Sequence, residues 1–135
     1  MWEHFHHQAD IGIRGIGESL EEAFEEAAVS MVAVICDPET IEAKEQVRIN
    51  CEGTDRELLL ADWLNAVIYE MAIRNMLYSK FKVRLEAEKL TAQAWGERAD
   101  PEKHDMAVEV KAATYSQLAV ENEDGRWIAQ CVVDV

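Results

Sequence analysis

Two aspartates stand where a carboxylate side chain would need a partner. Asp10 lies among small and apolar residues in the segment 7–12 (HQADIG), and Asp134 ends an apolar stretch. An unpaired carboxylate in a core strand is costly, so we expect a cation beside it, either Arg14 or a metal ion. Two carboxylates with main-chain oxygens form a hard oxygen site that suits Ca²⁺ or Mg²⁺. The alternative for each aspartate is a salt bridge or an edge position in water.

The histidines are weaker candidates. His4 and His6 would point the same way on a strand and could bind zinc or nickel, but no cysteine or carboxylate stands at a recognisable ligand spacing. Ordinary surface histidines are therefore favoured. His7 is expected on the apolar side of the strand, either hydrogen-bonded in the core or supporting Asp10. His104 is expected in a solvated loop, which is favoured over a role as general base.

No recognised catalytic motif occurs in the chain. There is no G-x-S-x-G, no H-E-x-x-H and no glycine-rich phosphate loop, and Gly15-x-Gly17 lacks the third glycine of a dinucleotide site. Lys111 is expected to be an exposed strand lysine. A small metal-dependent hydrolase that uses His104 or Asp62 is the least favoured hypothesis, and we expect no enzymatic activity.

Hydrophobic periodicity and capping signals predict the elements that must position these residues. The first strand would place Asp10 on the face of His4 and His6 and would break at Gly15 to Gly17. The predicted elements are a strand over 5–13, a helix from Ser19 to Ile35, a strand over 46–51, a helix opened by Thr54 and Glu57, and strands over 81–87, 90–96, 108–115, 117–120 and 127–135.

The last strand indicates how the sheet is arranged. Its apolar residues fall on both faces, which is typical of a central strand. A central position would bring Asp134 and Val135 close to the core. The expected fold class is α+β, with one domain over residues 1–135 and two helices packed on a largely antiparallel sheet.

Composition narrows the classes of partner. The 135 residues include 13 Lys and Arg against 27 Asp and Glu, which gives a net charge of −14. Such a surface argues against strong nucleic-acid binding and against attraction to an anionic membrane, and it favours cations and basic proteins. Three widely spaced cysteines indicate a reducing compartment, and no signal peptide or long apolar stretch is evident. We therefore expect a cytoplasmic protein.

Four segments, in this order, resemble the archease family. They are His7-Gln8-Ala9-Asp10-Ile11-Gly12-Ile13-Arg14 with Ser19-Leu20-Glu21-Glu22-Ala23-Phe24; then Leu59-Leu60-Ala61-Asp62-Trp63-Leu64-Asn65; then Ala94-Trp95-Gly96-Glu97 with Asp100-Pro101, His104, Glu109-Val110-Lys111-Ala112 and Thr114-Tyr115; and finally Val132-Val133-Asp134-Val135. The family's corresponding patterns are H-x-A-D-[IV], S-L-E-E-x-F and L-L-x-D-[FW]-L-N. Together the segments cover nearly the whole chain.

The resemblance implies a function that composition does not. Archeases are activators of the tRNA-splicing RNA ligase; they promote its guanylylation and repeated turnover, and some have been considered chaperone-like. The family's metal site matches Asp10, Asp134 and Val135 here, with Val135 giving a main-chain or terminal carboxylate oxygen. The implied ion is Ca²⁺, with Mg²⁺ or Mn²⁺ possible. Lys111 would be a functional residue that contacts a nucleotide or the ligase.

Two positions depart from the family pattern. Ser116 stands where a histidine often follows Thr-Tyr, and Met106-Ala107 replaces the usual Pro-Gly after the loop histidine. The first change argues against chemistry by a histidine at that position. The second predicts a differently shaped loop after His104.

Overall fold

The computed structural model describes residues 1–135. Its elements follow one another along the chain, with a short 3₁₀ helix at Pro38–Thr40. They are β1 (Trp2–His7), β2 (Asp10–Gly17), α1 (Leu20–Ile35), β3 (Glu45–Glu52), α2 (Arg56–Arg74), β4 (Met76–Glu86), β5 (Lys89–Arg98), α3 (Pro101–His104), β6 (Ala112–Ala113), β7 (Ala119–Glu123) and β8 (Arg126–Asp134).

The strands form two antiparallel sheets. The first has the order β1-β2-β8-β6, with β7 also paired to β8, and the second has the order β3-β5-β4. The predicted α+β class is confirmed, although the strands divide between two sheets rather than one. The central position predicted for the last strand is also confirmed, since β8 pairs with β2 on one side and with β6 and β7 on the other.

The prediction of one strand over residues 5–13 is wrong, because the alternating pattern continues through a tight hairpin. Gln8 and Ala9 form the turn, with Gln8 at a φ of 55°, and His7 pairs with Asp10. Directly paired residues share a face, so Asp10 lies on the face of His7 and not on that of His4 and His6.

The predicted break at Gly15 to Gly17 is also wrong, since these residues continue β2. Gly15 is required because α1 lies directly against the strand. A Cβ atom there would overlap the carbonyl oxygen of Ala23 and the main-chain nitrogen of Ala27. The glycine thus permits close packing of the helix on the sheet.

Both long helices begin at a capping side chain. Ser19 accepts the predicted hydrogen bond from the Glu22 N–H, at 3.1 Å. For α2, the cap is Asp55 and not the predicted Thr54, because one Asp55 oxygen accepts from the N–H groups of both Glu57 and Leu58. The helix ends at Asn75, which adopts the left-handed conformation that often closes a helix.

One core of 32 buried residues joins the sheets and the helices. Helix α1 contacts β2 and β8 in the first sheet and β4 in the second, and α2 packs on the second sheet and on β6. Trp63 of α2 is fully buried, and its indole N–H donates to the Phe24 carbonyl of α1 at 3.0 Å. The first sheet, including β2 and β8, is therefore held by both helices.

The chain between α3 and β8 differs most from prediction. Only Ala112 and Ala113 of the predicted strand 108–115 pair with another strand, and the following strand is displaced to Ala119–Glu123. The polar hairpin turn is confirmed: Asp124 and Gly125 have φ angles of 52° and 86°, as a type I′ turn requires.

The three cysteines are free. No helix is both long enough and apolar enough to cross a membrane.

Candidate functional site

Asp10 and Asp134 meet at one end of the first sheet. The last residues paired between β2 and β8 are Ile11 and Val133, so Asp10 and Asp134 come next in the antiparallel register. His7 pairs with Asp10 on one side, and Ala112 pairs with Asp134 on the other. His7, Asp10, Asp134 and Ala112 therefore form a row across four strands, on one face of the sheet.

Both aspartates of this row are exposed, and neither takes part in a salt bridge. The expectation that burial forces a partner on them is wrong, because the pairing between β2 and β8 ends at Ile11 and Val133, just before the two aspartates. Arg14 does not neutralise Asp10; its guanidinium lies 2.6 Å from Glu3 and 2.8 Å from the side-chain oxygen of Gln130. The two carboxylates are left adjacent and unpaired, a local excess of negative charge that would attract a cation.

His7 has one ring nitrogen without a partner. Its side chain is half-buried, and Nδ1 is shielded from water and forms no hydrogen bond. The alternative of a fully hydrogen-bonded core histidine is therefore not what the structure shows. An orphaned buried nitrogen beside Asp10 is unusual, since buried polar atoms nearly always have a partner.

The donor atoms at this end of the sheet suit a hard cation. No group of three or more His, Cys, Asp or Glu side chains is close enough to hold a metal ion. A site here would therefore need main-chain oxygens beside the carboxylates of Asp10 and Asp134. Val135, which is 38% exposed, follows directly and carries such oxygens. Carboxylates with main-chain oxygens are the ligands that Ca²⁺ takes in proteins.

Lys111 is attached to the same end of β8. Its main-chain N–H donates to the Asp134 carbonyl at 2.8 Å, while its side chain is exposed and has no ion pair. Asn65 of α2 holds this segment in place. The Asn65 amide donates to the Ala113 carbonyl at 3.1 Å and accepts from the Ala113 N–H at 2.9 Å, as a neighbouring strand would.

Sequence analysis missed this role of Asn65, although a signal was present. Asn65 is a polar residue among the apolar residues Trp63, Leu64 and Val67 of α2, where a side chain normally needs a hydrogen-bonding partner. The partner is distant in sequence, and only the fold reveals it.

A groove of about 580 Å³ lies beside Lys111, between the C-terminal half of α2 and residues 106–111. Its lining is mostly apolar. Met106 and Val108 are 38% and 42% exposed, and Glu109 and Lys111 add charge to the lining. The Met106-Ala107 departure from the family pattern therefore falls in the wall of this groove.

His104 is buried, contrary to the expectation of a solvated loop. It lies in α3 and is 2% exposed. The Asp100 N–H donates to Nδ1 at 2.9 Å, so the ring proton is on Nε2, which donates to a Glu97 carboxylate oxygen at 3.0 Å. The short helix turns the ring inward, and His104 holds α3 against β5.

Glu97 is the centre of this buried cluster and was also missed. Its carboxylate accepts from the Glu42 N–H at 2.9 Å and from the Lys103 ammonium at 2.8 Å, in addition to His104. These three interactions, the Glu42 N–H foremost, hold the pKa of Glu97 well below its usual range. The cluster joins α3, β5 and the chain before β3, and it lies apart from the aspartate row.

The remaining candidates do not come together. His4 Nε2 lies 2.8 Å from the Ser30 carbonyl oxygen; since a carbonyl only accepts, this nitrogen donates and does not ligate a metal. His6 is exposed on the same face as His4. Asp62 is exposed on α2 and forms no ion pair.

Comparison with known proteins identifies the family. The model of the Archease protein family matches residues 2–135. The chain is 45% identical to the protein archease of Pyrococcus furiosus, over all of this chain and 99% of that protein, and 41% identical to that of Sulfurisphaera tokodaii, over 99% and 98%.

Solved structures agree with this. The solution structure of protein 1598 from Methanobacterium thermoautotrophicum superposes with a TM-score of 0.87 at 36% identity, covering 99% of this chain and 98% of that one. The crystal structure of an archease from Thermotoga maritima, described as a possible chaperone, superposes with a TM-score of 0.67 at 22% identity. The match covers 97% of this chain and 94% of that one and shows the common fold. The chain belongs to the archease family.

Proposed function

We propose that this protein is a non-enzymatic activator of a tRNA-splicing RNA ligase. Residues 1–135 would act as one domain in the cytoplasm, promoting guanylylation of the ligase and its repeated turnover. Membership of the archease family supports the proposal. The observation that carries it is the pair of exposed, unpaired carboxylates, Asp10 and Asp134, next to Lys111 at the end of β8.

Asp10, Asp134 and an oxygen of Val135 would bind a divalent cation, with Ca²⁺ the first candidate and Mg²⁺ or Mn²⁺ also suitable. A bound cation would supply positive charge that offsets the two carboxylates. The row of paired positions supports this set, because adjacent aspartates without a salt bridge repel each other. His7, whose buried Nδ1 has no partner, lies next to Asp10 in this row.

The ligase would contact the chain at the end of β8. Lys111 offers a free ammonium group there, and the groove lined by Met106 and Val108 offers an apolar surface beside it. The net charge of −14 complements an RNA-binding partner, whose surface must be basic. His104 would act indirectly, because its buried ring holds α3 and cannot reach a partner.

The test is reconstitution with the purified RNA ligase of the same organism. Addition of this protein should raise the amount of guanylylated ligase and allow each ligase molecule to join several pairs of tRNA halves. The Lys111→Ala variant should lose much of this stimulation, whereas Lys89→Ala, at the start of β5 in the other sheet, should keep it. Equal ligation with and without the protein would contradict the proposal.

A chaperone-like activity is the second candidate function. The Thermotoga maritima structure is described as a possible chaperone. Four large apolar side chains are 38% to 60% exposed: Met106 and Val108 in the groove, and Tyr69 and Ile73 on α2. This hypothesis predicts that the protein suppresses heat-induced aggregation of unrelated basic proteins. Suppression without any effect on ligation would favour it over ligase activation.

A further inference from the structure

The outer face of the second sheet is basic, although the protein as a whole is acidic. The register of β3, β5 and β4 places Arg48, Gln93 and Lys82 in one row, and Asn50, Thr91 and Arg84 in the next. All but the half-buried Gln93 are exposed, while the intervening residues Val47, Ile49 and Val83 are buried in the core. This face therefore projects its polar side chains into solvent, opposite to the helices.

Cations outnumber anions on this face. It carries Arg48, Lys80, Lys82, Arg84 and Lys89 against Glu52 and Glu86, and both acids lie at the Lys89 end. Only Arg84 forms an ion pair, a surface contact with Glu86 at 3.2 Å between side chains about three-quarters exposed. Such exposed pairs are weak, so the positive charge remains available to an anion.

The cations are regularly spaced. Lys80, Lys82 and Arg84 alternate along β4, so neighbouring cations are about 7 Å apart along the strand. Arg48 lies two strands away in the same row as Lys82, with Gln93 between them. A concave region of about 770 Å³ follows this surface and is lined by Arg48, Asn50, Lys82, Arg84, Thr91 and Gln93. The start of α1 borders it with Ser19 and Glu21, so one carboxylate faces three cations there.

Trp95 adds an aromatic group to the basic face. It stands on the central strand β5, two residues from Gln93 on the same side, and is half-buried. The Lys80 ammonium lies 5.4 Å from its ring centroid. A half-exposed indole beside unpaired cations is the combination that stacks a base while the cations bind its phosphates.

We infer that this outer face of β3, β5 and β4 binds single-stranded RNA. Arg48, Lys80, Lys82 and Arg84 contact the phosphates, and Trp95 stacks on a base. Asn50, Thr91 and Gln93 supply the donors and acceptors that base edges and 2′-hydroxyl groups require. The inference departs from the expectation drawn from net charge, because charge is unevenly distributed over the surface. It does not rest on ligase activation, since the face belongs to the other sheet.

An acidic peptide is the competing occupant, and the side chains favour RNA over it. A peptide carboxylate would use the cations alone, whereas this face also presents an aromatic ring and three amide or hydroxyl side chains. Duplex RNA is disfavoured because its bases are already stacked and cannot reach the Trp95 ring. The binding is expected to be weak and steeply dependent on salt, since the rest of the chain repels phosphate.

The experiment is fluorescence anisotropy with a labelled 12-nucleotide oligouridylate at 50 and 200 mM KCl. The unmodified protein should bind at the lower salt concentration and release the RNA at the higher one. The double variant Arg48→Gln, Lys82→Gln should bind about 10-fold more weakly or worse, because two phosphate contacts are lost. Its binding should also depend less steeply on salt concentration. Trp95→Ala should weaken binding about fivefold or more, through lost stacking.

The matched control is the double variant Arg98→Gln, Arg126→Gln. It removes the same charge from exposed positions away from this face and should bind the oligonucleotide nearly as well as the unmodified protein. Circular dichroism verifies that each variant is folded. Equal weakening by both double variants, tighter binding of a duplex, or displacement of the RNA by an equimolar amount of polyglutamate would overturn the inference.

Discussion

The side chain of Asn65 exchanges two hydrogen bonds with the main chain of Ala113, 48 residues away. Helix α2 thereby takes the place of a strand beside the short β6. The segment so held includes Lys111, whose N–H reaches the Asp134 carbonyl. The position of Lys111 beside the aspartates thus depends on an amide in the helix.

Replacement of Asn65 by alanine should loosen this segment. Two half-buried hydrogen bonds are lost and the Ala113 main chain is left unpaired, so we expect a decrease of about 1–3 kcal/mol in the free energy of unfolding. Urea denaturation measures this, and hydrogen exchange should show loss of protection at the Ala113 amide. Asn122→Ala in β7 is the control and should have little effect, because its side chain accepts only one exposed hydrogen bond, from the Gly125 N–H. Unchanged exchange at Ala113 would contradict the assignment.

Replacement of Gly15 by alanine should strongly destabilise the protein. The added methyl group would overlap the main chain of α1 at Ala23 and Ala27, which cannot move as a flexible side chain would. We expect the free energy of unfolding to fall by about 3 kcal/mol, which is the upper end of the usual cost of overpacking a core. Gly53→Ala is the matched control, because nothing lies within 4 Å of its added Cβ. Equal midpoints of urea denaturation for the two variants would show that the α1–β2 contact is looser than described.

Glu97 should make stability depend on pH in the acid range. An unfolded glutamate has a pKa of about 4.3, and the folded value is held well below it by the Glu42 N–H, Lys103 and His104. The folded state therefore binds fewer protons, and the contribution of Glu97 is complete above about pH 4.3 and declines as the pH falls below that value.

Glu97→Gln should therefore lower the melting temperature more at pH 7 than at pH 3. Glu86→Gln removes a carboxylate whose side chain is 74% exposed and should change little at either pH. Differential scanning calorimetry at the two pH values provides the comparison. If Glu97→Gln lowers the melting temperature equally at both pH values, the cluster does not depend on ionised Glu97.

Calorimetric titration tests the proposed cation site without the ligase. We expect one Ca²⁺ to bind per chain and the heat to disappear in Asp10→Asn and in Asp134→Asn, because each removes a carboxylate ligand. Asp62→Asn removes an exposed aspartate from α2 and should bind Ca²⁺ normally. Binding that survives in both site variants would place the cation elsewhere.

Local patterns predicted the elements better than their contacts. The Ser19 cap, the end of α1 at Ile35, the Asp124-Gly125 turn and the central β8 are encoded by neighbouring residues and by two-sided hydrophobicity. The hairpin at Gln8 was missed because alternation continues unbroken through a two-residue turn. The strand over 108–115 failed because propensity cannot show that only Ala112 and Ala113 find a partner.

The candidate site was predicted for a reason that the structure only partly supports. Asp10 and Asp134 are neighbours in register, as a shared site requires, but they are exposed, and the argument from burial is wrong. Residues fixed by distant partners could not be found from spacing. Asn65 belongs to this class, as does the hydrogen bond from the Glu42 N–H to Glu97, 55 residues away. His104 was misplaced for another reason, because the pattern did not show that residues 101–104 form a short helix that turns its ring inward.

Guanylylation of the RNA ligase in the presence of this protein is the most direct measurement. The ligase is incubated with radiolabelled GTP, divalent cation and either the unmodified protein, Asp134→Asn or Asp62→Asn, and the labelled ligase is quantified over time. The account predicts faster labelling with the unmodified protein and with Asp62→Asn, and a rate close to that of the ligase alone with Asp134→Asn. Full stimulation by Asp134→Asn would contradict the proposed role of the aspartate pair.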